Sequence, residues 1–282
     1  MKEHFLPQFQ LEHWCRDGQL VRYEKRGVEI LTEEKSPAAV GYRPNQFALH
    51  SRPDKPNVIE IDYWQKLDND VAPIFLNLIN NTPVSITTQE QLVMTLFILG
   101  LPIRTPWAQD HAVAVFKAAL AGEFPEFIDA QKVASDPELQ RISDPNWIRD
   151  NAILNSLEVA TESKRIDRVM RMQWHVWDLR YSVRDLVLSD HALLVAGSLD
   201  HPVATTLHLP LSPRRLLVIT DGYAPRLSDY EVARAVNIRS TNSAVEHIFA
   251  AHMGHRALAK KYLKPRNFRR RPEKFPNVPA KL

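Results

Sequence analysis

Three polar residues lie where a fold can hold a side chain rigidly. His4 stands near the amino terminus ahead of a proline, Arg104 lies in a turn after an apolar helix, and Asp190 lies in a turn between apolar runs. A histidine can take up a proton or bind a metal, an arginine can bind an anion, and an aspartate can bind a metal or transfer a proton. If the three converged in one open pocket, they would suit the hydrolysis of a phosphodiester. A divalent metal is a cofactor that such a pocket could bind.

Each of these residues also has a purely structural interpretation. His4 would hydrogen-bond the start of a sheet. Arg104 and Asp190 would pair with each other, because a charge buried at the end of an apolar element needs a partner. Their relative positions therefore distinguish two kinds of protein. Convergence in an open pocket favours an enzyme, whereas scattered or fully bridged side chains favour a non-catalytic binding module.

The carboxy-terminal segment supplies most of the predicted substrate-binding group, to which Gln8 and Ser189 also belong. From Lys260 to Lys274 there are eight basic residues and a single acid, in a chain whose net charge is only +3. Basic side chains contact phosphates, and the interleaved aromatic residues could stack on bases. We therefore predict that the segment binds nucleic acid; the alternatives are a solvated, disordered tail and a segment that docks on an acidic protein partner. Its predicted binding residues are Lys260, Lys261, Arg266, Arg269, Arg270 and Arg271.

Composition bounds the remaining possibilities. The chain has 282 residues and one cysteine, Cys15, which excludes an internal disulfide framework and fits a reducing cytosol. No apolar run approaches the roughly 20 residues that span a bilayer, and no glycine-rich phosphate-binding motif is present. We expect a cytoplasmic protein that does not insert into membranes. Residues 1–255 are expected to form a single domain and residues 256–282 a basic, proline-containing tail.

Hydrophobic periodicity indicates the elements that position the candidate residues. Residues 19–24 and 28–31 flank a turn at Gly27, which predicts an N-terminal hairpin. Helices dominate the middle of the chain. The longest is predicted to begin after Asp144 and to run to about Arg171, with a charged face that we expect to be solvated.

Short apolar runs between residues 173 and 221 predict a mixed or antiparallel sheet. Leu188, Val195 and Val218 are predicted to lie in its core. A capping box at Ser228 then starts a C-terminal helix. The predicted fold class is α+β, with the N-terminal hairpin, a helical middle, this sheet, the C-terminal helix and the basic tail.

Several short motifs occur in an order that resembles one bacterial protein family. In chain order they are His4-Phe-Leu-Pro-Gln-Phe, Leu20-Val-Arg-Tyr, Ile103-Arg-Thr-Pro, Leu186-Val-Leu-Ser-Asp, Pro210-Leu-Ser-Pro, and Asn237 at the start of a final helix that ends in Phe249-Ala-Ala. This order resembles the family catalogued as domain of unknown function 4238, over roughly residues 4–251. The chain departs from the family pattern at Ala192, where proline is usual, and at residues 12–14, where a basic residue, Asn and Phe are usual. The resemblance implies a fold but no activity.

Two functions are therefore expected. The first is a nucleic-acid-directed enzyme, phosphodiesterase-like in the manner of a nuclease, with His4, Arg104 and Asp190 as its catalytic residues; a toxin or defence effector is one context for such an enzyme. The second is a non-catalytic module that binds nucleic acid or protein, in which the same residues brace the fold.

Overall fold

The computed structural model describes residues 1–81, 85–123, 130–222 and 227–265 and shows an α+β fold, as predicted. Its strands are β1 (Lys2–His4), β2 (Leu20–Arg26), β3 (Glu29–Lys35), β4 (Tyr42–Pro44), β5 (Gln173–Asp178), β6 (Leu188–Ser189), β7 (Leu194–Ala196), β8 (Thr206–Ser212), β9 (Arg215–Thr220) and β10 (His247–Ala250). Its helices are α1 (Gln8–Glu12), α2 (Gln65–Asn80), α3 (Thr88–Gly100), α4 (Pro106–Glu123), α5 (Ala130–Ser135), α6 (Pro137–Ser143), α7 (Pro145–Ala160), α8 (Ser163–Arg171), α9 (Asp229–Ser243) and α10 (Arg256–Tyr262). A π-helical turn, Ile59–Trp64, leads directly into α2. Within the described ranges, no helix combines the length and the apolar character needed to cross a membrane.

The predicted N-terminal hairpin is formed by β2 and β3, which pair along their full length. Gly27 occupies the turn with a φ of 61°, a left-handed conformation that glycine adopts without steric cost. β2 also pairs with β10, and β10 with β6, so that one antiparallel sheet has the order β3-β2-β10-β6. A second antiparallel sheet has the order β5-β9-β8-β7, and β1 pairs with β4.

The sheet predicted within residues 173–221 is confirmed and is antiparallel, but one of its runs belongs to the other sheet. β6 pairs with β10, where Phe249 lies opposite Leu188. Leu188 and Val218 are buried, as predicted, whereas Val195 is 41% exposed and its assignment to the core was wrong. Val195 lies on the edge strand β7, and an antiparallel strand that is covered on one face leaves alternate side chains in solvent.

The run that begins at Phe249 does not end a helix, contrary to expectation. α9 ends at Ser243, and β10 is an internal strand between β2 and β6. A strand buried on both faces is apolar at consecutive positions, and over so few residues this pattern does not differ from that of a buried helix. Asn237 lies inside α9, where its side chain accepts a hydrogen bond from the Val187 N–H and donates one to the Asp185 carbonyl.

The single long helix predicted after Asp144 is divided into α7 and α8. The chain leaves helical geometry at Glu162, whose φ and ψ are −55° and 132°. The charged face of α8 is not simply solvated, because Arg165 donates to Asp200 at 2.7 Å. Arg168 holds a loop through hydrogen bonds to the carbonyl oxygens of Ser198, Leu199, His201 and Val203 and to the carboxylate of Asp221. These two arginines correct the expectation of a solvated face.

α10 packs on the face of the sheet β3-β2-β10-β6 that carries Val21 and Tyr23. Ala259 in α10 and Leu263 just after it are buried completely against this face. The packed structure therefore includes α10, which lies beyond residue 255. Residues 266–282, the rest of the predicted tail, lie outside the described residues.

Candidate functional site

Arg104 is held in the turn between α3 and α4 and is only 1% exposed. Its guanidinium donates to both carboxylate oxygens of Asp68, at 2.6 and 2.8 Å, and to the His4 carbonyl at 3.1 Å. It also lies over the Trp64 ring, 4.6 Å from its centroid. The predicted pairing of Arg104 with Asp190 is therefore wrong, because α2 supplies the partner. A bidentate bridge of this kind fixes the geometry of both side chains.

Asp190 follows β6 and is almost fully buried. Its carboxylate accepts the backbone N–H groups of Val245, Glu246 and His247 at 2.7–2.9 Å, which fixes the connection between α9 and β10. Burial raises the pKa of Asp190, while His247 and these N–H donors oppose the rise. Asp190 makes no contact with His4 or Arg104 within the described part of the chain.

His4 ends β1 and pairs with Tyr42 in β4, as the structural interpretation expects. The two rings lie 5.6 Å apart, and Nε2 of His4 is buried without a hydrogen-bond partner among the described residues. Burial, together with the charge of Arg104, lowers the pKa of His4. This shift favours the neutral imidazole. The structure thus brings His4 and Arg104 together and leaves Asp190 elsewhere.

The predicted substrate-binding residues are dispersed. Gln8 is exposed at the start of α1, whereas Ser189 is buried and donates its hydroxyl to the His191 carbonyl at 2.6 Å. Lys260 and Lys261 are exposed on α10. The four predicted residues that lie outside the described ranges are Arg266, Arg269, Arg270 and Arg271.

Two buried glutamates beside the Arg104 bridge were missed by the sequence reasoning. Glu60 lies on the π-helical turn and is 6% exposed; burial raises its pKa to about 7, although the nearby Arg104 charge lowers it. Glu3 is fully buried, accepts the Phe47 N–H at 2.6 Å, and has its pKa raised by burial. One oxygen of each carboxylate has no hydrogen-bond partner in the described structure. We call Glu3, His4, Glu60, Asp68 and Arg104 the Glu60 cluster.

The Glu60 cluster combines features that recur at functional sites: a π-helical turn, a strongly perturbed carboxyl group and buried polar atoms without partners. Glu3, Glu60 and Arg104 are nonetheless buried, and both terminal nitrogens of the Arg104 guanidinium already donate to Asp68. Across the described ranges, no group of three or more His, Cys, Asp or Glu residues is placed to hold a metal ion. The cluster can store or transfer a proton.

A second feature lies on α10. Arg256 and Lys260 are one helical turn apart, Lys261 follows them, and all three are exposed. None of them has a carboxylate of a described residue within 4.0 Å. Lys25 reaches the same helix and donates to the Lys260 carbonyl at 3.1 Å. We call Lys25, Arg256, Lys260 and Lys261 the C-terminal cationic surface.

Comparison with known proteins gives one match. A family model described as a protein of unknown function (DUF4238) matches residues 2–252, in agreement with the resemblance noted in the sequence. No curated protein and no solved structure matches the chain. Three of the four residues of the C-terminal cationic surface lie beyond the matched segment, whereas the whole Glu60 cluster lies within it.

Proposed function

Because the chain belongs to the DUF4238 family, whose function is unknown, we propose its function from geometry: the protein binds nucleic acid through the C-terminal cationic surface. One observation carries the proposal. Arg256, Lys260 and Lys261 are exposed on one packed helix without a carboxylate near them. Their charge is therefore available to an external anion.

The helix α10 is anchored on the sheet beneath it. Ala259 and Leu263 bury the inner face of α10, so the cations project from a fixed support rather than from a flexible segment. In sequence, four more arginines follow between residues 266 and 271. A phosphate backbone that contacts such an array releases counterions, which makes affinity strongly dependent on salt.

The test compares two double variants that remove the same charge. Lys260→Ala with Lys261→Ala alters the cationic surface, whereas Arg141→Ala with Lys164→Ala removes two exposed cations that pair with Glu138 and Glu162. Binding of a labelled single-stranded DNA of about 16 nucleotides is measured between about 50 and 200 mM salt. The first variant is expected to reduce the slope of log affinity against log salt by about 1.4, since each phosphate contact on a single strand contributes about 0.7.

The control variant is expected to keep the wild-type slope. An equal reduction of the salt slope in both variants would show that binding depends only on net charge, and it would contradict the proposal. An absence of DNA binding at low salt would also overturn it and would favour the protein partner left open by the sequence. Circular dichroism of each variant establishes that a loss of binding is not a loss of folding.

A second candidate function is phosphodiester hydrolysis with proton transfer by Glu60. The observation that favours it is a buried carboxyl group with a pKa of about 7, beside the bidentate bridge between Arg104 and Asp68. A carboxyl with such a pKa suits general acid–base catalysis near neutral pH. Glu60→Gln should abolish cleavage of a labelled single strand, whereas Glu34→Gln, at an exposed site, should not. Cleavage that survives Glu60→Gln would remove this candidate.

A further inference from the structure

A surface loop beside the cationic surface combines exposed aromatic, apolar and basic side chains. It joins β5 to β6 and contains Arg180, Tyr181, Val183 and Arg184. Tyr181 is 88% exposed and Val183 is 84% exposed. We call residues 179–185 the Tyr181 loop. Two large side chains one residue apart, Tyr181 and Val183, are thus presented to solvent.

The Tyr181 loop is held in place by hydrogen bonds. Arg214 donates to the carbonyl oxygens of Leu179 and Ser182, at opposite sides of the exposed tyrosine. The Ser182 hydroxyl also accepts the Arg184 N–H at 3.1 Å. Because both ends of the segment are fixed, Tyr181 is presented outward by a supported backbone, which lowers the entropic cost of binding a partner.

One of the two cations of the loop, Arg184, lies over an aromatic face. The Arg184 guanidinium lies 5.0 Å from the centroid of the Tyr230 ring and donates to its hydroxyl at 3.3 Å. Arg184 has no carboxylate of a described residue within 4.0 Å, whereas Arg180 is bound to Asp178 at 2.7 Å. An arginine next to exposed aromatic rings can contact a phosphate while a base stacks on the ring.

The Tyr181 loop and the start of α10 are connected through Asp185. Asp185 accepts a hydrogen bond from His252 at 2.9 Å, and His252 stacks on His255 with ring centroids 4.9 Å apart. Burial, followed by the charges of His252 and Arg184, lowers the pKa of His255 to about 4. Arg256 follows His255 directly.

We infer that the Tyr181 loop is a base-stacking site for single-stranded nucleic acid. This inference rests on the proposed function, because the cationic surface supplies the phosphate contacts while Tyr181 supplies a flat face for an unpaired base. Double-stranded nucleic acid offers no unstacked base to the ring. The occupant is therefore a single strand, whose bases are free to leave their neighbours.

The test uses the full chain and two substitutions at one position. Tyr181→Ala should weaken binding of a labelled single strand of about 16 nucleotides by about 5- to 150-fold, the range found when one stacked base loses its aromatic partner. Tyr181→Phe keeps the ring and should retain wild-type affinity. Binding of heparin, a polyanion without bases, should be unchanged in both variants, and so should binding of a duplex.

The outcomes separate the inference from the proposed function. If Tyr181→Ala binds the single strand normally while Lys260→Ala with Lys261→Ala still flattens the salt slope, the inference fails and the proposed function stands. If Tyr181→Ala weakens heparin and the single strand equally, stacking is overturned. If wild-type protein binds no single strand at low salt, both fail together.

Discussion

α8 and α10 are both short, basic helices, yet their positive charges are used in opposite ways. In α8, Arg165 donates to the carboxylate of Asp200, and Arg168 donates to the carbonyl oxygen of Ser198 and to the carboxylate of Asp221. In α10, Lys260 and its neighbours have no carboxylate of a described residue within 4.0 Å. Basic side chains therefore stabilise the fold in one helix and are left available to an external partner in the other.

This difference shows that a count of charges along a helix does not reveal its role. An arginine presents five donors in a planar fork and can satisfy several carbonyl oxygens at once, as Arg168 does. A lysine carries a compact, strongly hydrated charge that is easily left in water. Whether a cation has a partner inside the protein therefore distinguishes a structural side chain from one that is available to bind a ligand.

The largest expected effect is at Arg104, the most completely enclosed of the internal cations. Arg104→Ala should lower the free energy of unfolding by about 3–5 kcal/mol, because it leaves Asp68 without its bidentate partner. Urea unfolding at pH 7 measures the loss as a shift in midpoint. Arg104→Lys keeps the charge without the planar fork and should lose less. A loss below about 1 kcal/mol for the alanine variant would contradict the internal role of Arg104.

The next effect is a pH dependence that originates at Glu60. Its pKa rises from 4.5 to about 7 on folding, so the folded state binds the proton more tightly than the unfolded state. Its contribution to stability is full below pH 4.5 and is lost as the pH rises to about 7. The total loss is about 3 kcal/mol. Urea unfolding across this pH range should show that the free energy of unfolding falls in the wild type and falls less in Glu60→Gln. Equal declines in the two proteins would contradict the role of Glu60.

A smaller effect is expected at Arg168, whose contacts are only partly buried. Arg168→Ala should cost about 1.5–3 kcal/mol, because the loop carbonyl oxygens and Asp221 lose a charged donor. Arg171→Ala, which removes an exposed cation from the same helix, should change stability by less than about 0.5 kcal/mol. Thermal unfolding of the two variants side by side measures the contrast. Equal losses of stability in the two variants would show that the contacts of Arg168 do not stabilise the fold.

The smallest effect is expected on α10. Lys260→Ala with Lys261→Ala should change the free energy of unfolding by less than about 0.5 kcal/mol, because neither side chain has a charged partner to lose. The same urea titration applies to this variant. A destabilisation above about 1 kcal/mol would show that the lysines of α10 stabilise the fold, as the arginines of α8 do.

The sequence was sufficient for features that depend on local patterns. The hairpin turn at Gly27, the capping box at Ser228 and the buried run around Leu188 all follow from short-range chemistry. The α+β class follows from the same patterns, since each element carries its own periodicity. Val195 was misplaced because an edge position depends on the order of strands, which local patterns do not specify.

The candidate site was less accessible to sequence reasoning because its partners are distant or unexpected. Arg104 was identified as a buried charge, but its carboxylate comes from a residue 36 positions away on α2. Asp190 has backbone N–H groups as its hydrogen-bond partners instead of a side chain, and every residue except proline has such a donor, so the sequence does not reveal them. Glu60 depends on a π-helical turn, which has no strong sequence signal, so its burial could not be anticipated.

The central position of β10 has a consequence for folding during synthesis on the ribosome. Residues 247–250 fill the gap between β2 and β6, so residues 21–24 find their second neighbour more than 200 positions later in the chain. During synthesis the hairpin must wait with one edge unpaired until almost the entire chain has emerged. Such a delay makes folding slow and exposes a strand edge to other nascent chains. The free edge of β2 should therefore become protected only after residue 250 has left the exit tunnel.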